Sequence, residues 1–160
     1  MKLDAIDRRI LAALQRDGRL TNVQLADEVG LSPSPCLRRV RLLEETGVIH
    51  GYHAKLDRRA LGLDLTVFVG IKVDRHHEEE ATAFRHAMLA LPEVISCHLV
   101  SGEADFLLQV VVPDLPAYER FLVGTLLRIP GVSDIRSNFA IQTVKDAAPL
   151  PLDHLPARQA

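Results

Sequence analysis

Tryptophan is absent from this chain, and aromatic residues make up only 4% of its 160 residues, so any core must be built mainly from aliphatic side chains. Cysteine is nearly absent too. Cys36 and Cys97 stand alone and are expected to be reduced packing residues rather than a disulfide. No run of eighteen apolar residues occurs, so no membrane-spanning helix is expected. The opening Met1-Lys2-Leu3-Asp4 lacks the apolar stretch of a signal peptide, and the expected location is the cytoplasm. There is no nucleophile elbow, no phosphate-cradling Gly-rich loop and no carboxylate pair with a partner His, so no enzyme is expected. Histidine gives no metal pattern either. His50 and His53 are three apart on an extended segment and face opposite ways, His76-His77 begin a polar loop, and Cys97 and His98 alternate to opposite faces. With no third ligand nearby, neither a metal nor a cofactor is expected.

Positive charge has no overall excess, and the net charge of −2 argues at first against a nucleic-acid binder. The distribution reverses that inference. Residues 1–60 hold 11 Lys and Arg against 8 Asp and Glu, a balance of +3, and the remainder carries −5. This suits a weakly basic DNA-reading module joined to an acidic module with another task.

Asp4 to Asp17 reads as a helix with Ile6, Ile10, Ala13 and Leu14 on its buried stripe. A second helix starts at Thr21-Asn22-Val23-Gln24, a Thr followed three places later by Gln as in a capping box, and ends at Gly30. Ser32 is the expected N-cap of a third, with Pro33 in its first turn and Gly47 just past its end. Cys36, Val40 and Leu43 form its apolar stripe, widened by Leu37, while Ser34, Arg38, Arg41 and Glu45 face the other way. Two helices joined by a short turn containing Gly, with a preceding helix across both, make a tri-helical helix-turn-helix whose last helix enters the major groove. Residues 48–56 read as extended chain, a wing or connecting strand.

The expected DNA-binding set follows. Ser34, Arg38 and Arg41 are placed to reach base edges, because arginine's planar fork matches guanine O6 and N7. Ser32, Pro33 and Pro35 form the small tip of the same helix. Arg39 lies on its flank, with a phosphate or a carboxylate of its own domain as alternative partners. Asn22 and Gln24, at the front of the second helix, are candidates for backbone phosphates or for capping alone.

Residues 57–64 break the pattern and are read as a linker between domain 1–56 and domain 65–146. Leu65, Val67, Val69, Ile71 and Val73 then alternate with Thr66, Phe68, Gly70 and Lys72, a strand with one buried face. A helix from Glu78 to Leu91, strands at 94–101 and 105–112, a helix from Asp114 to Ile129 and a strand from Val132 to about Val144 complete the parse. Leu91-Pro92-Glu93-Val94 is echoed 38 residues on by Ile129-Pro130-Gly131-Val132. Two such halves give β-α-β-β-α-β, a ferredoxin-like α+β domain with both helices on one sheet face. Leu107 and Val111 leave the other face apolar enough to need a cover, most simply a second copy in a symmetric dimer. The tail, 147–160, reads as an extended arm or a disordered end.

With both halves in view, the chain resembles the Lrp/AsnC (feast/famine) family of transcriptional regulators across residues 3–146. Carrying the resemblance are Leu3-Asp4-Ala5-Ile6-Asp7-Arg8-Arg9-Ile10-Leu11, the stretch Gly30 to Val40, Gly47-Val48-Ile49 with Gly51-Tyr52, Gly102-Glu103-Ala104-Asp105-Phe106 and Ile129-Pro130-Gly131-Val132. The resemblance implies a winged helix-turn-helix hinged to an α/β effector-sensing domain, dimers that assemble into tetramers or octamers, and an amino-acid effector. It also implies an effector site at Ser101, Gly102, Glu103, Ala104, Asp105 and Phe106, with Ser137 from the last strand at a position often threonine. Ala104 departs from the many relatives that carry a bulky or aromatic residue there, which implies a roomier or differently walled pocket. The rival function is a sensing module that controls a partner enzyme through protein contacts. Such a module has no use for Arg38 and Arg41 on an outward helix face.

Overall fold

The computed structural model describes residues 2–74 and 78–156, the side chains of 78–81 excepted. His76 and His77 therefore lie outside the described residues. The chain divides into two compact units, residues 1–55 with 145–160, and residues 56–144. Among the described residues no helix is long and apolar enough to cross a membrane.

The first unit holds α1 (Ala5–Arg16), α2 (Asn22–Val29) and α3 (Pro33–Glu45). Asp4 caps α1 through the N–H groups of Ile6 and Asp7, at 2.8 and 2.9 Å. The Asp7 carboxylate returns the favour to the Asp4 N–H at 3.0 Å, so two acidic residues close the box that Ser and Glu usually form. Thr21 and Gln24 form the corresponding box on α2. Ile10, Ala13, Leu25, Ala26, Val29, Cys36 and Leu43 meet in a small core, each buried. At the end of α3, Gly47 takes φ 71°. Its N–H reaches the Glu44 carbonyl at 3.0 Å and the Val48 N–H reaches Leu43 at 2.9 Å, a Schellman stop that needs the left-handed residue.

Two local expectations change here. Ser32 is the N-cap of α3 by its backbone, but its hydroxyl makes no cap hydrogen bond. The reason lies in the sequence Pro33-Ser34-Pro35. A capping oxygen bonds the N–H of the second or third helical residue, and the third is a proline. Residues 48–56 form no strand and run as irregular chain, pinned where the Tyr52 hydroxyl donates to Glu44 at 3.0 Å.

The second unit is a four-stranded sheet in the order β2-β3-β1-β4, built of β1 (Leu65–Val73), β2 (Val94–Leu99), β3 (Phe106–Val112) and β4 (Val132–Phe139). All its pairings are antiparallel, with α4 (Glu78–Ala90) and α5 (Leu115–Gly124) in the two crossovers. This is the expected ferredoxin-like β-α-β-β-α-β domain. Val67, Val69 and Ile71 of β1 and Leu108 and Val110 of β3 pack with Phe84, Met88, Tyr118, Phe121 and Leu126 in one core. The Phe84 and Phe106 rings lie 4.5 Å apart.

Element ends are shorter than the sequence pattern suggests. α5 stops at Gly124 and continues only as a 3₁₀ turn at Leu126–Arg128, since Pro130 forces Ile129 into the extended region, ψ 124°. β4 ends at Phe139 rather than Val144. Its partner β1 starts at Leu65, and the last bond between the two segments is Ala140 N–H to the Thr66 carbonyl at 3.0 Å. Beyond it the chain has no ladder to join.

Candidate DNA-reading face and effector loop

The three arginines of α3 divide by environment. Arg39 turns inward: its Nη1 donates to Asp4 at 2.8 Å and to Asp7 at 2.7 Å, and Asp7 is buried, 6% exposed. Of the two partners open to it, the guanidinium takes the carboxylates of its own unit. Burial pushes the Asp4 carboxyl up, but the N–H groups of Asp7 and Ile6 and the Arg39 cation outweigh it and hold it below its ordinary value. Arg38 and Arg41 are exposed. Among the described residues they make no ion pair. Ser34 lies one turn before Arg38, so Ser34, Arg38 and Arg41 share one outward face, with Ser32, Pro33 and Pro35 exposed at its tip.

The candidates on α2 are engaged otherwise. The Asn22 side-chain amide donates to the Pro33 carbonyl at 2.8 Å and so ties the start of α2 to the first turn of α3. Its Oδ1 is buried without a partner among the described residues. Gln24 Oε1 accepts the Thr21 N–H and hydroxyl, both at 2.9 Å. Asn22 and Gln24 thus set the angle and start of the helices that carry the outward face.

In the second unit, residues 101–105 join β2 to β3. Gly102 has φ 130°, the Val100 N–H bonds the Asp105 carbonyl at 2.9 Å, and the Asp105 N–H bonds Ile71 of β1 at 2.9 Å. The half-buried Asp105 carboxylate also accepts the Val73 N–H at 3.1 Å, so it fastens the loop to the end of β1. Ala104 crosses directly over Gly70, where an added Cβ would stand 3.2 Å from the Ala104 methyl. Glu103 is exposed and ion-paired with Arg136 of β4, which also meets Asp134 at 3.3 Å. The register places Arg136 opposite Gly70.

The site residues expected from the resemblance do not all converge. Glu103 and Ala104 lie with Gly70 and Arg136, on the sheet face away from the helices. Phe106 is buried in the helix-side core, 3% exposed. Ser137 pairs with Val69 and so also points to the helix side, where its hydroxyl meets that of Tyr118 at 2.5 Å. Ser101 is exposed at the start of the loop. Gly70 and Arg136 beside the loop, and Tyr118 beside Ser137, are neighbours that the sequence reading did not name for the site. Gly70 had left a signal, a lone glycine in a β-branched strand, whereas Arg136 becomes visible only through strand pairing.

A helix-turn-helix with an outward arginine face, joined to a ferredoxin-like domain with a pinned loop, defines a two-part DNA-binding regulator. The comparisons agree. A winged helix-turn-helix DNA-binding model matches residues 3–50, and the Lrp/AsnC ligand binding domain matches residues 66–150. The leucine-responsive regulatory proteins of Escherichia coli and Klebsiella pneumoniae are each 49% identical over 145 residues, 91% of this chain and 88% of theirs. A transcriptional regulator of Neisseria meningitidis in complex with L-methionine superposes with a TM-score of 0.91 at 40% identity, covering 96% of this chain and 99% of that one. An AsnC family regulator of Agrobacterium tumefaciens gives 0.90 at 40% identity, over 95% and 99%. The chain belongs to the Lrp/AsnC family of transcriptional regulators.

Proposed function

We propose that this regulator reads duplex DNA with Ser34, Arg38 and Arg41 of α3 and answers to an amino acid bound at the loop 101–105. The observation that carries the first half is the division among neighbours on one helix. Arg39 is taken up by Asp4 and Asp7, while Arg38 and Arg41 are left exposed on the face with Ser34. An outward pair of arginines beside small tip residues fits guanine edges and phosphates.

The second half rests on relatives that respond to leucine or are held with L-methionine, and on the chemistry of the loop. Glu103, Arg136 and Asp105 offer charges of both signs, as a zwitterion requires. Asp105 serves this site chiefly by holding the loop in place. The sheet face beside it carries Phe68 and Leu107, 39% and 36% exposed, and the same face of a second copy is its simplest cover. Effector binding then changes how dimers assemble and hence the spacing of their reading helices, a coupling between two sites.

The test is fluorescence polarisation with a duplex selected from a random pool, across a salt series, with each common amino acid added in turn. Binding is expected to weaken steeply with salt, and at least one amino acid is expected to shift it. Salt-independent binding, or none, contradicts the DNA reading; DNA binding indifferent to every amino acid contradicts the effector assignment alone.

A further inference from the structure

The last segment of the chain belongs with the first unit, although the second unit lies between them in sequence. Residues 145–156 carry no helix or strand, yet they are tied down side chain by side chain. Gln15 engages both main-chain groups of one residue: its Oε1 accepts the Leu150 N–H at 2.6 Å, and its amide donates to the Leu150 carbonyl at 3.3 Å. Arg8 pairs with Asp153 at 2.6 Å and Lys55 with Asp146 at 3.4 Å, so the acids of the tail meet the bases of the helical unit. The Leu155 N–H bonds the Leu152 carbonyl at 3.0 Å, a turn whose two leucines are both half-buried. Together with Leu3, Leu11, Leu14 and Tyr52 they line an open apolar cleft of about 530 Å³.

The partner surface is written into α1. Arg8, Leu11 and Gln15 fall at i, i+3 and i+7 and make a second stripe beside the core stripe of Ile10 and Ala13. Leu11 packs against the core of the unit and also lines the cleft beside the tail, while Arg8 and Gln15 bond the tail directly. On the tail side, Pro149, Pro151 and Pro156 hold the backbone extended and reduce the entropy lost on docking. Leu152, Asp153 and Leu155 lie beyond residue 150, where the match to the ligand-binding domain ends.

We propose that residues 146–155 are a clasp on the DNA-binding unit, and that it serves as a second tether. The chain leaves that unit at 55 and returns to it at 145. With the clasp closed, two covalent connections restrain the orientation of the reading helix; with it open, one remains. A segment so tethered meets its groove at an effective concentration of about millimolar, so weak individual contacts suffice to close it. Anything that pulls on β4 or its exit therefore reaches the reading unit through the tail.

Three measurements test this, and the first two need no DNA. In a full-length Gln15→Cys/Leu150→Cys/Cys97→Ser protein, a short bismaleimide is expected to cross-link within one chain, so denatured protein keeps monomer mobility. No cross-link, or a cross-linked dimer, overturns docking within the chain. Deuterium exchange in α1 and residues 48–52 is expected to rise at least about tenfold in the protein truncated after residue 146 and in Leu152→Asp/Leu155→Asp, with the sheet of the second unit unchanged. Rates within twofold of the parent in both variants overturn the clasp. The third readout rests on the DNA-reading assignment. Affinity for a selected duplex is expected to fall about threefold to tenfold in both variants, and unchanged affinity overturns the tether. A parent protein that binds no duplex refutes the DNA assignment instead, leaving the first two measurements to judge the clasp.

Discussion

Replacing Arg39 with alanine separates the two kinds of arginine on α3. The substitution leaves Asp7, whose side chain is 9% exposed, without its cation. Removing one partner of a fully buried ion pair costs about 3–5 kcal/mol. Here the Arg39 and Asp4 side chains keep 26% and 38% exposure, so water takes up part of the loss and about 2 kcal/mol is expected. In a unit of about 70 residues each kcal/mol moves the melting midpoint by about 4–8 °C, giving a fall of about 8–16 °C. Lysine at the same place restores the charge but not the fork that reaches both carboxylates, and only part of the loss is recovered. Alanine at Arg38, by contrast, is expected to leave stability within about 0.5 kcal/mol and to weaken DNA binding about 5- to 150-fold. Heat melts monitored by circular dichroism mix the two units, so deuterium exchange in α1, α2 and α3 is the better assay, paired with polarisation well below the melt. If Arg39→Ala exchanges like the parent yet loses DNA, its guanidinium works outward and the buried-cluster argument is refuted.

Other perturbations follow from the same contacts. Gly70→Val drives a branched side chain into Ala104; it is expected to cost about 1–3 kcal/mol and to remove the amino-acid response, and a calorimetric titration with an unchanged response refutes that placement of the loop. Asp4 ionises below its ordinary value when folded, so its stabilisation is full above about pH 4 and disappears as pH falls through the lower folded value. Asp4→Asn is accordingly expected to flatten the acid limb of a pH–stability curve, and an unaltered limb contradicts this. A thiol reagent under native conditions is expected to label Cys97, which is exposed, and to spare Cys36, which is buried; burial raises both thiols, so access alone separates them. Intact mass reads the count, and rapid double labelling contradicts the packing of α3.

Much of this architecture was legible because local rules and tertiary structure point the same way. The Thr21–Gln24 box, the Gly47 stop and the alternation from Leu65 to Val73 each specify one conformation, and the structure adopts it. The misreadings are of two kinds. Some concern ends: β4 stops at Phe139, short of the expected Val144, because a strand lasts only as long as its neighbour. Others concern what side chains face. Ser137 and Arg136 are adjacent in sequence and on opposite sides of the sheet, and only the register with Val69 and Gly70 tells them apart. Arg39 had a carboxylate of its own domain among its expected partners, but the sequence does not say which; only the fold brings it to Asp4 and to Asp7, 32 residues before it. The tail was the least legible part. Three prolines and scattered leucines look like a loose end until Gln15, Arg8 and Leu11 are seen to form a stripe that fits them.

The most direct test of the central claim is sequence selection by the Arg38→Ala/Arg41→Ala double variant beside the parent, from one random duplex pool at one salt concentration. The account predicts that the parent enriches a defined site, while the double variant, equally folded by its melting midpoint, enriches none and binds more weakly. If the two proteins enrich the same site with the same affinity, α3 does not read DNA through this face.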